Sequence, residues 1–198
     1  MIKAIGILGT LKTTESKVPS NTEEVLDLLL EKINKLGCET EKVRLVDENI
    51  LHGSRVDMGD DGLKVIKQIS EADIVIWATP IHWGQPSSLI QKLLERMDSD
   101  DVDHLRGKKS VFLDKIAGIV VVGHEDGAQH VVGVLSNTLM WYGFCIPPES
   151  CVYWVGEAGR YGISDDAVDR RKNEYVKTML DNASRNLVRY AKMIGDSK

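Results

Sequence analysis

The apolar run Asp73 to Ala78 (DIVIWA) passes directly into Thr79-Pro80-Ile81-His82-Trp83-Gly84, and the amphipathic segment Gln85 to Met97 follows at once. A short, continuous apolar run that feeds a loop and then a helix is the pattern of a buried strand. It puts the loop at the carboxyl edge of an α/β sheet, where ligands bind. Pro80 fixes its own φ and Gly84 tolerates positive φ, so the backbone can turn across the mouth of a pocket. His82 and Trp83 are then presented to whatever fills it.

The same alternation recurs along the chain. Ile2 to Leu8 reads as a strand, and Asn21 to Leu36 carries Val25, Leu28, Leu29, Ile33 and Leu36 with helical period until Gly37. Glu41 to Val46 alternates apolar and charged residues, as an edge strand does. The polar segment Asp47 to Asp61 reads as a surface loop, and Leu63 to Glu71 as a short helix leading into DIVIWA. After the Gln85 to Met97 helix comes the Asp-rich stretch Asp98 to Asp103, then Lys108 to Val122, whose Ile116 to Val122 portion is the most buried-looking strand. Gly123-His124-Glu125-Asp126-Gly127 follows, then a helix over Ala128 to Tyr142 stopped by Gly143. Phe144 to Ile146 and Cys151 to Val155 supply the last strand material, and Asp165 to Ile194 a long helix broken near its start.

Strands alternating with helices imply a parallel sheet covered on both faces. Right-handed crossovers leave few topologies, and five strands fit a doubly wound order of 2-1-3-4-5. Its switch point lies between the first and third strands, so Gly9 to Asn21 and Thr79 to Gly84 face each other across a crevice. The 198 residues, 42% hydrophobic, suffice for one well-filled domain spanning 1–198.

A net charge of −5 opposes binding to a phosphate backbone, so no nucleic-acid partner is expected. Nothing approaches the roughly 18 apolar residues of a membrane span, and Met1-Ile2-Lys3 runs directly into a strand. A soluble, cytoplasmic protein is expected. Cys38, Cys145 and Cys151 are odd in number, without C-x-x-C spacing, and read as reduced structural thiols. Three thiols fall short of the four that hold an iron–sulfur cluster.

Three loops carry the chemistry. Thr10 and Lys12 leave the first strand, and Ser20-Asn21-Thr22-Glu23 opens the first helix, where free N–H groups and the helix dipole favour a phosphate. The pattern is neither a Walker A loop nor G-x-G-x-x-G. Ser20 with Glu23 also reads as a capping box, which needs no ligand. Thr79 to Gly84 is either a ligand wall or a tight turn whose Trp83 plugs a subunit interface. Gly123 to Gly127 reads at least as an acidic helix N-terminus, and no metal-ligand spacing surrounds His124. Together the loops offer one phosphate cradle and two flat or apolar walls, which suits a planar, elongated, phosphorylated ligand.

At these residues the sequence resembles the flavodoxin-like NAD(P)H-dependent FMN reductase family. The segment ATPIHWGQPSSLIQKLLER matches its third-strand loop and helix through Thr79, Pro80, Ile81, Trp83, Gly84, Lys92, Arg96 and Asp98. The segment VVVGHEDGAQHVVGVLSNTLMWYGFCIPP matches its fourth strand, glycine loop and helix, with Gly123, Gly127 and Gly143 in place. The phosphate loop departs from the family: Lys12 replaces an arginine, and Thr13 to Pro19 lengthen it. The compact cysteine cluster of related iron–sulfur flavoproteins is absent.

The resemblance implies FMN, its phosphate at Thr10, Lys12, Ser20, Asn21 and Thr22. The isoalloxazine ring falls between Pro80, Ile81, His82, Trp83, Gly84 and the Gly123, His124, Glu125, Asp126, Gly127 loop. It also implies NADH or NADPH as co-substrate, a small-molecule electron acceptor, no catalytic side chain, and a homodimer or homotetramer in which Trp83, Trp141 and Trp154 are interface or pocket aromatics or else residues buried within one subunit. A flavodoxin-type one-electron carrier would share the fold but calls for a Thr/Ser-Gly-Thr phosphate loop. A receiver-type signalling module would need an acidic pair after the first strand, where Gly9-Thr10 stand.

Overall fold

The computed structural model describes residues 1–54, 59–124, 126–156 and 169–196. The elements are β1 (Lys3–Leu8), α1 (Asn21–Lys35), β2 (Glu39–Arg44), α2 (Gly62–Glu71), β3 (Ile74–His82), β4 (Gln85–Pro86), α3 (Ser88–Leu105), β5 (Ile116–His124), α4 (Ala128–Trp141), β6 (Cys151–Gly156) and α5 (Glu174–Gly195). Strands pair in the order β2-β1-β3-β5-β6, all parallel. Among the described residues, only the two-residue β4 runs antiparallel, against the end of β3. With β4 set aside, this is the flavodoxin-like 2-1-3-4-5 order.

Period-two side-chain alternation splits the core into two layers. Ile5, Ile7, Val75, Trp77, Ile119 and Val121 face α2, α3 and α4. Ala4, Leu8, Ile74, Ile76, Val120 and Val122 face α1 and α5. The central strands are buried on both sides and β2 only in part, as its charged alternation requires.

Several boundaries shift for tertiary reasons. The β2 strand starts at Glu39 because it pairs with β1 from Lys3 onward. The α3 helix runs through Asp98 to Asp103, read above as a polar stretch, while Gln85 to Ser87 lie outside it. Lys108 to Lys115 lie outside β5. The break near the start of the last helix falls at Asn173, whose side chain accepts from the N–H groups of Tyr175 and Val176 and caps α5. Residues 165–168 of that expected helix lie outside the described residues.

The segment from Asp47 to Asp61 is more than a surface loop. Arg96 on α3 is fully buried, donates to the Gly53 carbonyl at 3.2 Å, and pairs with Asp60 at 3.1 Å. Asp60 also accepts from the backbone N–H groups of Leu51 (2.7 Å) and Gly62 (3.2 Å). Burial opposes charge on Asp60, but these donors outweigh it and hold its carboxyl below the ordinary aspartate value.

Cys38, Cys145 and Cys151 are free thiols, and burial pushes all three above the usual thiol range. Among the described residues, no helix is long and apolar enough to cross a membrane.

Candidate functional site

The carboxyl ends of β1, β3 and β5 and the start of α1 enclose a cleft of about 720 Å³, within the range typical of small-molecule sites. Thr10, Lys12, Ser20, Asn21 and Thr22 line one end, and Pro80 to Gly84 with Val122, Gly123, His124 and Asp126 line the other. Of the residues expected at the site, Gly127 is the one described residue that does not line the cleft. Glu125 lies outside the described residues. Val122 is an addition that sequence reasoning counted only as strand.

At the polar end, Gly9 carries the chain off β1. A Cβ there would fall 2.5 Å from Ile90 Cγ1, so only glycine lets the loop lie against α3. Thr10 and Ser20 are buried, and Ser20 Oγ donates to Thr10 Oγ1 at 3.0 Å. Ser20 caps α1 by accepting from Glu23 N at 3.2 Å. The capping box is therefore only half formed, because the Glu23 carboxylate turns away to Lys42 (2.6 Å) and Arg44. Burial works against the charge on Glu23, and those two cations overcome it to lower its pKa.

The unusually long stretch after Lys12 is held from behind. Arg44 donates to the Lys12 carbonyl at 2.7 Å, and Asp47 accepts from Thr14 N at 3.1 Å and Thr14 Oγ1 at 2.5 Å. Lys12 Nζ folds back to the Pro19 carbonyl at 2.6 Å, and burial lowers its pKa. Sequence reasoning missed Arg44 and Asp47. Their signal was a cation and an acid at the end of an edge strand, which by itself reads as surface.

At the other end, β3 does not stop at Ala78. It continues to His82 and turns back through Trp83 (φ 52°) and Gly84 (φ 71°) into β4. Positive φ at both central residues makes a two-residue type I′ hairpin, which strand twist favours. The hairpin is anchored by Ser87 N donating to buried Thr79 Oγ1 (2.9 Å) and by Gln85 Nε2 against His130 Nε2 of α4 (3.0 Å).

Glycine lets the hairpin touch the end of β5 and the cap of α4. A Cβ on Gly123 would sit 2.8 Å from Ile81 Cβ, and one on Gly127 (φ 92°) 3.1 Å from Gly84 Cα. The two segments thus meet and share one wall of the cleft.

Trp83 stands fully exposed at the hairpin tip, in a left-handed conformation that Asn or Gly adopts at less cost. Trp83→Asn is expected to raise thermal stability by about 1 kcal/mol, since a bulky residue at positive φ costs about 1–3 kcal/mol. Calorimetric unfolding checks this; a destabilised variant would show that the turn carries no strain. Trp141 is likewise exposed, while Trp154 packs against the α1 and α5 core layer. No group of three or more His, Cys, Asp or Glu suited to a metal occurs among the described residues.

Comparison with known proteins agrees with this geometry. The profile of the family described as NADPH-dependent FMN reductase matches residues 2–158. The 8-demethyl-8-aminoriboflavin-5′-phosphate synthase of Streptomyces davaonensis is 32% identical over 199 residues, covering 92% of this chain and 76% of that protein. A crystal structure of RosB with the bound intermediate 8-demethyl-8-formylriboflavin-5′-phosphate superposes with a TM-score of 0.87 at 26% identity. That match covers 99% of this chain and 81% of the other. The apo form of an NADH:FMN oxidoreductase (EMOB) shares the fold, with a TM-score of 0.70 at 14% identity over 98% of this chain and 90% of its own. A flavodoxin-like sheet with a hydroxyl-rich cradle and a glycine-joined wall at its switch point thus carries the family profile over most of its length, and the chain belongs to the NADPH-dependent FMN reductase family of flavin enzymes.

Proposed function

We propose that the cleft holds FMN, and that the protein takes hydride from NADH or NADPH and passes electrons to a small-molecule acceptor. A quinone, a nitro or azo compound, a free flavin or a metal ion is the class of acceptor. One observation carries the reading: a single cleft joins a hydroxyl and lysine cradle at a helix N-terminus to a wall built from two touching backbone segments. The first end suits a phosphate and the second a flat ring.

The flavin supplies the redox chemistry when bound. Thr10, Thr22 and Lys12 offer donors to the phosphate, Ser20 orients the Thr10 hydroxyl, Asn21 offers an amide, and the α1 dipole a favourable field. Pro80, Ile81, His82, Trp83 and Gly84 shape the ring end together with Gly123, His124 and Asp126, and Gly127 lets the hairpin pack against them. No side-chain acid or base is required. The reading includes a cytoplasmic homodimer or homotetramer, an assembly that would cover exposed Trp83 and Trp141.

An absorption spectrum tests it. Purified protein, or protein given FMN, is expected to show flavin bands that NADH or NADPH bleaches without oxygen. Colourless protein that takes up no FMN would overturn the reading. A stable semiquinone that needs a partner reductase would favour the flavodoxin-type carrier.

The relative named a riboflavin-phosphate-derivative synthase favours a second reading, in which the flavin phosphate is itself the molecule altered. Mass spectrometry of the flavin recovered after turnover separates the two. An unchanged mass supports electron transfer, and a changed mass supports chemistry on the flavin.

A further inference from the structure

Arg170 lies in the helical turn 169–172 that precedes the α5 cap, beyond the residues matched by the family profile. Its side chain is fully buried. One guanidinium nitrogen donates to Asn21 Oδ1 at 3.2 Å, and the same group pairs with the Glu24 carboxylate. Arg171 pairs with Glu24 from its exposed side. Both partners belong to the first turn of α1, beside the cradle.

Two consequences follow from chemistry alone. A guanidinium can only donate, so the amide oxygen of Asn21 must be the atom facing it, and Nδ2 turns the other way. Asn21 lines the cradle end of the cleft, and no group among the described residues accepts from that Nδ2. Glu24 presents the second consequence: a carboxylate in the first turn suits the helix dipole but repels an anion bound at the same helix end. Glu23 meets the same conflict through Lys42 and Arg44, and Glu24 meets it through Arg170 and Arg171.

We propose that Arg170 is a positioning residue for the flavin phosphate, holding Asn21 with Nδ2 aimed into the cradle and screening Glu24. The proposal rests on the phosphate placement given above. Because Arg170 follows the family match, it is a feature of this chain's C-terminal part acting on the front end of the sheet.

The test compares FMN with riboflavin, which lacks the phosphate, by flavin fluorescence titration of wild type, R170K, N21A and the double variant. R170K keeps the buried charge but replaces the planar guanidinium, whose Nη2 reaches both Asn21 and Glu24, with an ammonium on a shorter side chain. It is expected to weaken FMN binding about tenfold, the scale of one hydrogen bond to a charged group, and to leave riboflavin within about twofold. N21A is expected to do the same, and the double variant to fall short of the sum of both losses. Unchanged FMN affinity in R170K, or equal losses for FMN and riboflavin, would overturn the role of Arg170. Wild type that binds FMN no better than riboflavin would instead overturn the phosphate placement itself.

Discussion

Replacing Arg96 with leucine lowers the stability of the fold by about 3–5 kcal/mol, because it strips the countercharge from a buried carboxylate. The side chain of Asp60 is 1% exposed and that of Arg96 not at all, so the pair is shielded although the Asp60 backbone is partly exposed. The arginine also spans from α3 to the Gly53 carbonyl and thereby closes the excursion that leads from β2 into α2. For a chain of this length the loss corresponds to a fall in midpoint of roughly 8–15 °C. A thermal melt by circular dichroism reads it directly, and a variant melting within a degree or two of wild type would refute it. The double variant R96L/D60L is expected to recover part of the loss, since an apolar pair replaces the stranded charge.

The same pair sets a pH dependence. The folded-state pKa of Asp60 is depressed, so its contribution is complete above the ordinary aspartate value and lost as pH falls through the depressed one. The difference in stability between wild type and R96L is therefore expected to narrow in acid. A gap that stays constant down to the acid limit would show that charge is not what the pair supplies.

The second large effect is on ligand affinity. Thr10→Val combined with Ser20→Ala is expected to weaken FMN binding about tenfold, the factor that one hydrogen bond to a charged group at about 1.5 kcal/mol amounts to. Riboflavin affinity should stay within about threefold. The two hydroxyls are buried and bonded to each other, with Ser20 donating, which leaves the Thr10 proton available to an anion. Ser20 also caps α1, so the double variant loses about 1 kcal/mol of stability. Titration of both flavins, corrected by melts of each protein, separates the two effects. Equal weakening of FMN and riboflavin would mean that these hydroxyls serve the helix and not a phosphate.

Local pattern was enough for much of this molecule. The strands β1, β3 and β5 are continuous apolar runs, and their shortness, their β-branched content and the glycines beside them mark them as strands buried on both faces. The turn glycines after them mark where each run leaves the sheet. Because loops after parallel strands share one edge, Thr10, Ser20, Pro80 and Gly123 could be placed near one another without knowing a single contact.

Long-range partners belong to another class. Arg96 and Asp60 lie 36 residues apart, and Arg170 and Asn21 lie 149 apart. Each reads singly as an ordinary charged or polar surface residue, and only the crossing of α3 over the excursion, or of the last segment over α1, makes it a buried partner. The hairpin at Trp83 and Gly84 was hidden for a related reason: a turn at positive φ ordinarily announces itself by Asn-Gly, and Trp at the first of those positions gives no such signal. Periodicity along one chain thus decided the layers, the strand order and the edge that carries the site, since those follow from which side chains must leave water. Which charges meet inside, and how the two wall segments close on each other, was decided only when packing brought distant backbone together.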